Sequence, residues 1–149
     1  MLSSRPYQRM ATRRIAAKQR SHMMASVKKK NTKPEIIVRR FLHRHGLRFI
    51  LHDRRLPGTP DLVFPRRRTA LFVHGCFWHR CPHCSVGKQE IRSNLDYWVP
   101  KLARNQARDA KAQADLAAGG WLALVIWECQ VTDRMLLSKV ASTIKERVT

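Results

Sequence analysis

Apolar residues recur at helical spacing in three stretches of the chain and gather into short runs in three others. Ile36, Ile37, Val38, Phe41 and Leu42 form one face of a segment that opens with Thr32 as N-cap, carries Pro34 and Glu35 in its first turn, and stops at Gly46. Leu47 to His52 alternates, with Leu47, Phe49 and Leu51 set against Arg48, Ile50 and His52, and predicts a strand. Turn chemistry at Leu56-Pro57-Gly58-Thr59-Pro60 then delivers the chain into Asp61-Leu62-Val63-Phe64. After the basic turn Arg66-Arg67-Arg68, the run Thr69 to Val73 ends at His74, so Asp61 and the Val73-His74 step fall near the ends of two paired strands. A long helix is predicted over 94–118 from Leu95, Trp98, Leu102, Ala110, Ala114 and Leu116, closed by Gly119-Gly120. Trp121 to Trp127 is almost continuously apolar and predicts a strand buried on both faces, and Asp133 to Arg147 reads as an amphipathic helix. Helix, two or three strands, helix, strand, helix is the order of a layered α/β domain.

Charge narrows the picture. Within 149 residues, 30 Lys and Arg stand against 10 Asp and Glu, a formal +20, which calls for a polyanionic partner with nucleic acid as the leading candidate. The first 20 residues carry charge with little apolar periodicity and read as a flexible basic arm, leaving 21–149 as a single domain. A transit peptide competes for the same residues, but a DNA-binding arm explains them as well. No apolar run approaches the ~18 residues needed to span a bilayer, and the leader has no apolar h-region of a secretory signal. The expected setting is therefore the cytoplasm, in contact with nucleic acid.

Chemistry concentrates in the stretch 72–84. Cys76-x4-Cys81-x2-Cys84, with Cys129 two residues beyond the last apolar run, supplies four soft ligands in the spacing of a closed structural Zn2+ site; His83 is a substitute for one of the thiols. The competing reading, inert buried thiols, suits the polar and basic segment Cys81-Pro82-His83-Cys84 poorly. Asp61 at a strand end, Glu35 on a helix, and the histidines His74 and His79 form the kind of set that assembles a Mg2+ site in metal-dependent nucleases. On spacing alone a turn-capping aspartate and ordinary surface or core histidines explain them too. Phe77 and Trp78 are adjacent, so strand alternation buries at most one; stacking on bases and packing over the zinc loop are both open to them.

Four blocks then occur together: LPGTPD ending at Asp61, HGCFWH from His74 to His79, NxxRD from Asn105 to Asp109, and VIWEC from Val125 to Cys129. In this order and spacing they resemble the very-short-patch repair (Vsr) mismatch endonucleases, over about residues 20–129. The resemblance implies a restriction-endonuclease-like, three-layer α/β core of the PD-(D/E)xK type with a structural zinc site. It implies a strand-specific nick in duplex DNA, 5′ to the thymine of a T:G mismatch left by deamination of 5-methylcytosine. By the same resemblance, Asp61 and the backbone carbonyl of Val73 would hold Mg2+, with two ions expected, and His79 would be the base. His74 and Glu35 would order water around the phosphate and metals, Phe77, Trp78 and Trp98 would wedge into the base stack, and Asn105 would lie near the DNA. A monomer is expected, with mismatch-repair helper proteins as partners. Two departures stand out: Cys81 replaces a histidine of the family pattern, and the carboxylate and lysine of the wider PD-(D/E)xK signature are absent, Val73-His74-Gly75 taking their place. The basic residues Arg39, Arg40, Arg66 to Arg68, Lys101, Arg104 and Arg108 are expected on phosphates. Two rivals remain, a related nicking nuclease without mismatch preference and a non-catalytic zinc-containing DNA-binding module. The second leaves Asp61, His74 and His79 together unexplained.

Overall fold

The computed structural model describes residues 29–147, so the basic arm expected over 1–20 lies outside the described residues. The first helix, α1 (Lys33–Arg44), starts where Thr32 Oγ1 accepts the Glu35 N–H at 3.4 Å. Strands β1 (Ile50–Leu51), β2 (Leu62–Phe64) and β3 (Thr69–His74) follow, then the short α2 (Ser85–Lys88), the 24-residue α3 (Leu95–Ala118), β4 (Leu122–Trp127) and α4 (Arg134–Glu146), capped by Asp133. The sheet order is β1-β2-β3-β4. The first two pairings are antiparallel, and β3 with β4 is parallel, crossing over through α3.

Alternation along the strands sorts the core into two faces. Leu62, Phe64, Leu71 and Ile126 meet Val38 and Leu42 of α1 and Leu137, Ala141 and Ile144 of α4 on one side. Ala70 and Phe72 meet Ala112 and Leu116 of α3 on the other. The result is helices, sheet and helix in three layers, in which each fully buried Leu or Ile contributes about 2 kcal/mol. Gly58, at φ +75°, lets the turn after Leu56 lie directly against α3, since a Cβ there would come within 2.6 Å of that of Ala112. That contact sets the entry of β2, and with it Asp61.

Two expectations are corrected. The predicted strand over 47–52 narrows to Ile50–Leu51, because His52 turns into left-handed backbone at φ +48°. The apolar run 121–127 packs on both faces, Leu124 and Ile126 on one and Trp121, Ala123 and Val125 on the other, but less deeply than expected: of the residues of β4 only Ile126 is fully buried. The short helix Ser85–Lys88 had no periodic signal to announce it.

Candidate active site and thiol cluster

Antiparallel pairing of Leu62 with Leu71 brings the start of β2 beside the end of β3, and there Asp61 Oδ2 accepts the Val73 N–H at 2.7 Å. Burial pushes the Asp61 carboxyl up to about 6; the Val73 N–H opposes the shift and the nearby Glu35 adds to it. Glu35, 1% exposed in the first turn of α1, takes Arg39 and His52 on the same oxygen, Oε1, with His52 Nε2 at 2.5 Å. His52 Nε2 is also 3.9 Å from Asp61 Oδ1. One histidine thus spans two carboxylates, and the donor atoms of Glu35, His52 and Asp61 lie within 4.8 Å of one another.

A second cluster continues from β3. The rings of His74 and His79 stack at 4.0 Å and 7°, and Asp109 of α3 receives His79 Nδ1 at 2.5 Å on Oδ2 and stands 3.9 Å from His74 Nε2. His74 is 5% exposed, and burial together with His79 holds its imidazole down to about 4, so it is neutral near pH 7. With Asp109 accepting at Nδ1, the Nε2 of His79 is the ring position left to take a proton. Asn105, one turn before Asp109, donates to the Trp78 carbonyl at 3.2 Å and accepts from Arg108 at 3.0 Å. Its side chain therefore holds the 75–84 loop onto α3.

The four thiols converge. Cys76, Cys81, Cys84 and Cys129 place their Sγ atoms within 4.8 Å of one another, with Cys81 and Cys129 at 3.8 Å. Backbone N–H groups of His83 and Cys129 point at Cys81 Sγ (3.3 Å) and Cys76 Sγ (3.4 Å), the support thiolates need around a metal. Burial raises the Cys76 and Cys129 thiols, whereas the Gly87 N–H holds Cys84 below its usual range. The group closes with sulfur alone, while the His83 ring faces Trp127 at 6.5 Å. Gly87 is required here, because a Cβ would fall 2.1 Å from the Cys81 carbonyl.

Beyond the thiol loop, Phe77, Trp78, Tyr97 and Trp98 form one aromatic cluster. Trp98 lies 5.3 Å from Phe77 and 5.6 Å from Trp78, and Tyr97 lies 5.1 Å from Trp98. Lys101 Nζ stands over the rings of Tyr97 and Trp78, at 5.3 and 5.9 Å. Tyr97, 42% exposed, and its neighbours Leu95 and Val99 give the cluster an open apolar margin.

Sequence reasoning missed His52 and Asp109. His52 read as the last residue of a strand, and Asp109 entered only as a letter of the NxxRD block. Three cations expected on phosphates have other partners. Arg39 is held on Glu35, Arg67 donates to the carbonyls of Lys145 and Arg147, and Arg68 donates to that of Gly119.

Residues 14–85 match the family model described as DNA mismatch endonuclease Vsr. The type II nicking enzyme V.XorIIP of Xanthomonas oryzae pv. oryzae is 52% identical over 122 residues, which cover 82% of this chain and 88% of that protein. V.NmeAIP of Neisseria meningitidis, also a type II nicking enzyme, is 36% identical over 135 residues, 87% of this chain and 94% of its own. The DNA mismatch endonuclease Vsr of Escherichia coli K12 is 35% identical over 124 residues, covering 83% and 78%. Among the described residues no helix is long and apolar enough to cross a membrane. The chain belongs to the Vsr family of DNA mismatch endonucleases, hydrolases that act on DNA.

Proposed function

We propose that this endonuclease nicks one strand of duplex DNA on the 5′ side of the thymine in T:G mismatches, by Mg2+-assisted phosphodiester hydrolysis on a restriction-endonuclease-like core. The observation that carries the reading is the meeting of Asp61, the Val73-His74 strand end and the Asp109-braced His74–His79 pair at one end of the β2–β3 hairpin. The three-layer arrangement of helices about a mixed sheet supports the fold assignment.

The donor set suits a hard cation. Asp61 and Glu35 are carboxylates close enough that one raises the other's pKa, a repulsion that a cation relieves. Asp61 and the Val73 carbonyl would hold Mg2+, with Glu35 beside them. Bound there, Mg2+ supplies Lewis-acid stabilisation of charge on the phosphate and a more acidic water. His79 takes the attacking water's proton on Nε2 while Asp109 fixes the ring's tautomer and direction. His74, neutral and buried, lines the path and packs against the base from one face. Phe77, Trp78 and Trp98 wedge into the stack, where a wobble pair costs less to deform than a matched one. Asn105 keeps that wedge in place through the Trp78 carbonyl. Zn2+ on Cys76, Cys81, Cys84 and Cys129 would tie the loop to the end of β4 and take no part in the cut. The relatives named as nicking enzymes support a single-strand cut.

The test is single-turnover cleavage of T:G and T:A duplexes with identical flanks, over a panel of flanking sequences, with Mg2+. A nick confined to the thymine strand of T:G is expected. Equal cutting of T:A would establish a nicking nuclease without mismatch preference, and binding without cutting would establish the DNA-binding module.

A further inference from the structure

His52 is the residue for which the family likeness offers no role and the geometry offers a specific one. It follows β1 in left-handed backbone at φ +48°, a conformation that a residue with a Cβ adopts at a cost. Its N–H donates to the Asp61 carbonyl at 3.1 Å, so the same turn that strains His52 ties it to the residue at the head of β2. The imidazole is largely enclosed, its side chain 13% exposed, yet the ring's contacts are to charged groups: Glu35 Oε1 at 2.5 Å, Arg39 Nη2 at 3.4 Å and Asp61 Oδ1 at 3.9 Å. A histidine kept for packing would sit against apolar neighbours in relaxed backbone. This one is turned out of the strand's alternation onto two carboxylates.

We propose that His52 is a direct ligand of the divalent-cation site, supplying one nitrogen beside the oxygens of Glu35 and Asp61, and that it tunes the site toward Mn2+ over Mg2+. The inference rests on the metal-dependent reading above and deepens it. Imidazole adds little for Mg2+, which favours oxygen and keeps its waters, but it is a good donor for first-row transition ions. Arg39 shares Glu35 Oε1 with His52, so a guanidinium and a cation compete for that oxygen, and the affinity of the DNA-free protein is expected to be modest.

The experiment is Mn2+ titration of the full-length, zinc-loaded protein into the millimolar range, followed by pulsed EPR on samples with natural-abundance and 15N-labelled histidine. Mn2+ is suited to this because it does not displace Zn2+ from thiolates. The expected result is a directly bound nitrogen whose modulation changes with the isotope and vanishes in His52→Gln. That variant should bind Mn2+ about tenfold more weakly, with its Mg2+ affinity changed by less than about threefold. Bound Mn2+ without nitrogen coupling, or coupling that survives in His52→Gln and so comes from His74 or His79, overturns the proposal. If His52→Gln folds poorly, His74→Gln and His79→Gln decide the matter: coupling that persists in both supports His52, and coupling lost in either overturns the proposal. Asp61→Asn separates the two levels. If Mn2+ binds equally well in that variant, or does not bind the wild type at all, the carboxylate-centred metal site itself fails. If binding requires Asp61 but shows no nitrogen, only the role of His52 fails.

Discussion

The end of the β2–β3 hairpin that holds Asp61 and His74 and the opposite end, where Arg66, Arg67 and Arg68 turn the chain, are both crowded with charge, but the charges there have different partners. At the turn the guanidinium of Arg67 donates to the Lys145 carbonyl in the last turn of α4 and to the Arg147 carbonyl just past it, and that of Arg68 to the Gly119 carbonyl just past α3. Arg147 returns a bond to the Arg67 carbonyl at 3.0 Å. These cations satisfy the unpaired acceptors of helix C-termini and complement their dipoles, work that is finished once the chain has folded. At the other end, side chain meets side chain: carboxylate against imidazole against carboxylate, held close and partly out of water, with two pKa values displaced in opposite directions. Charge density by itself does not set the proposed catalytic end apart from the structural one. The partner does, because a backbone carbonyl cannot titrate or exchange a proton, and a carboxylate or an imidazole can.

The contrast is most directly broken at Asp61. Asp61→Asn is expected to lower single-turnover nicking of a T:G duplex by about 10³-fold or more. The same variant should be the more stable protein when no Mg2+ is added. The folded-state carboxyl stands near 6 against an ordinary 3.8, so the fold favours its neutral form. Its destabilising effect is absent below about pH 4, grows as the pH rises through 6, and is complete above that. Thermal midpoints measured from pH 4 to 8 should show a gain worth about 3 kcal/mol at the alkaline end, shrinking to nothing at the acid end. A gain independent of pH would remove the burial argument for this residue.

Asp109→Asn comes next. Loss of the charge that orients His79 should cost about 100-fold in rate, with a thermal midpoint close to wild type. An unchanged rate would reduce Asp109 to a bystander and leave His79 without its brace. At the turn, Arg67→Ala should do the reverse: a stability loss of about 1–2 kcal/mol in denaturant titrations, with nicking at 25 °C within about threefold of wild type. If nicking collapsed in a variant shown to be folded, the two ends would not divide as described.

Much of this was legible in the chain. The capped helix from Thr32, the long helix up to Gly119, the paired strands on either side of the arginine turn and the closing helix follow from periodicity and cap residues, since these depend on neighbours a few positions apart. The gathering of Cys76, Cys81 and Cys84 was readable for the same reason. The joining of Cys129 to them rested on counting thiols. His52 was hidden because one left-handed residue at a strand end leaves no periodic trace. Asp109 was hidden because on a helix rich in Lys, Arg, Asp and Gln it looks like any solvated position. The partial burial of β4 was not legible because a continuous apolar run carries no information about how deeply its strand will be covered.

By itself, then, the sequence determined the element types, the polyanion-seeking charge and the residue kinds available for chemistry, all of them properties of composition and short-range pattern. Only the tertiary structure decided which cations are spent on helix ends, which carboxylates share a histidine, and that α3 carries Asp109 to the ring of His79. Those depend on strand register and on the packing of a helix across a sheet. They bring together residues such as Glu35 and Asp61, or His79 and Asp109, that no local pattern in the chain connects.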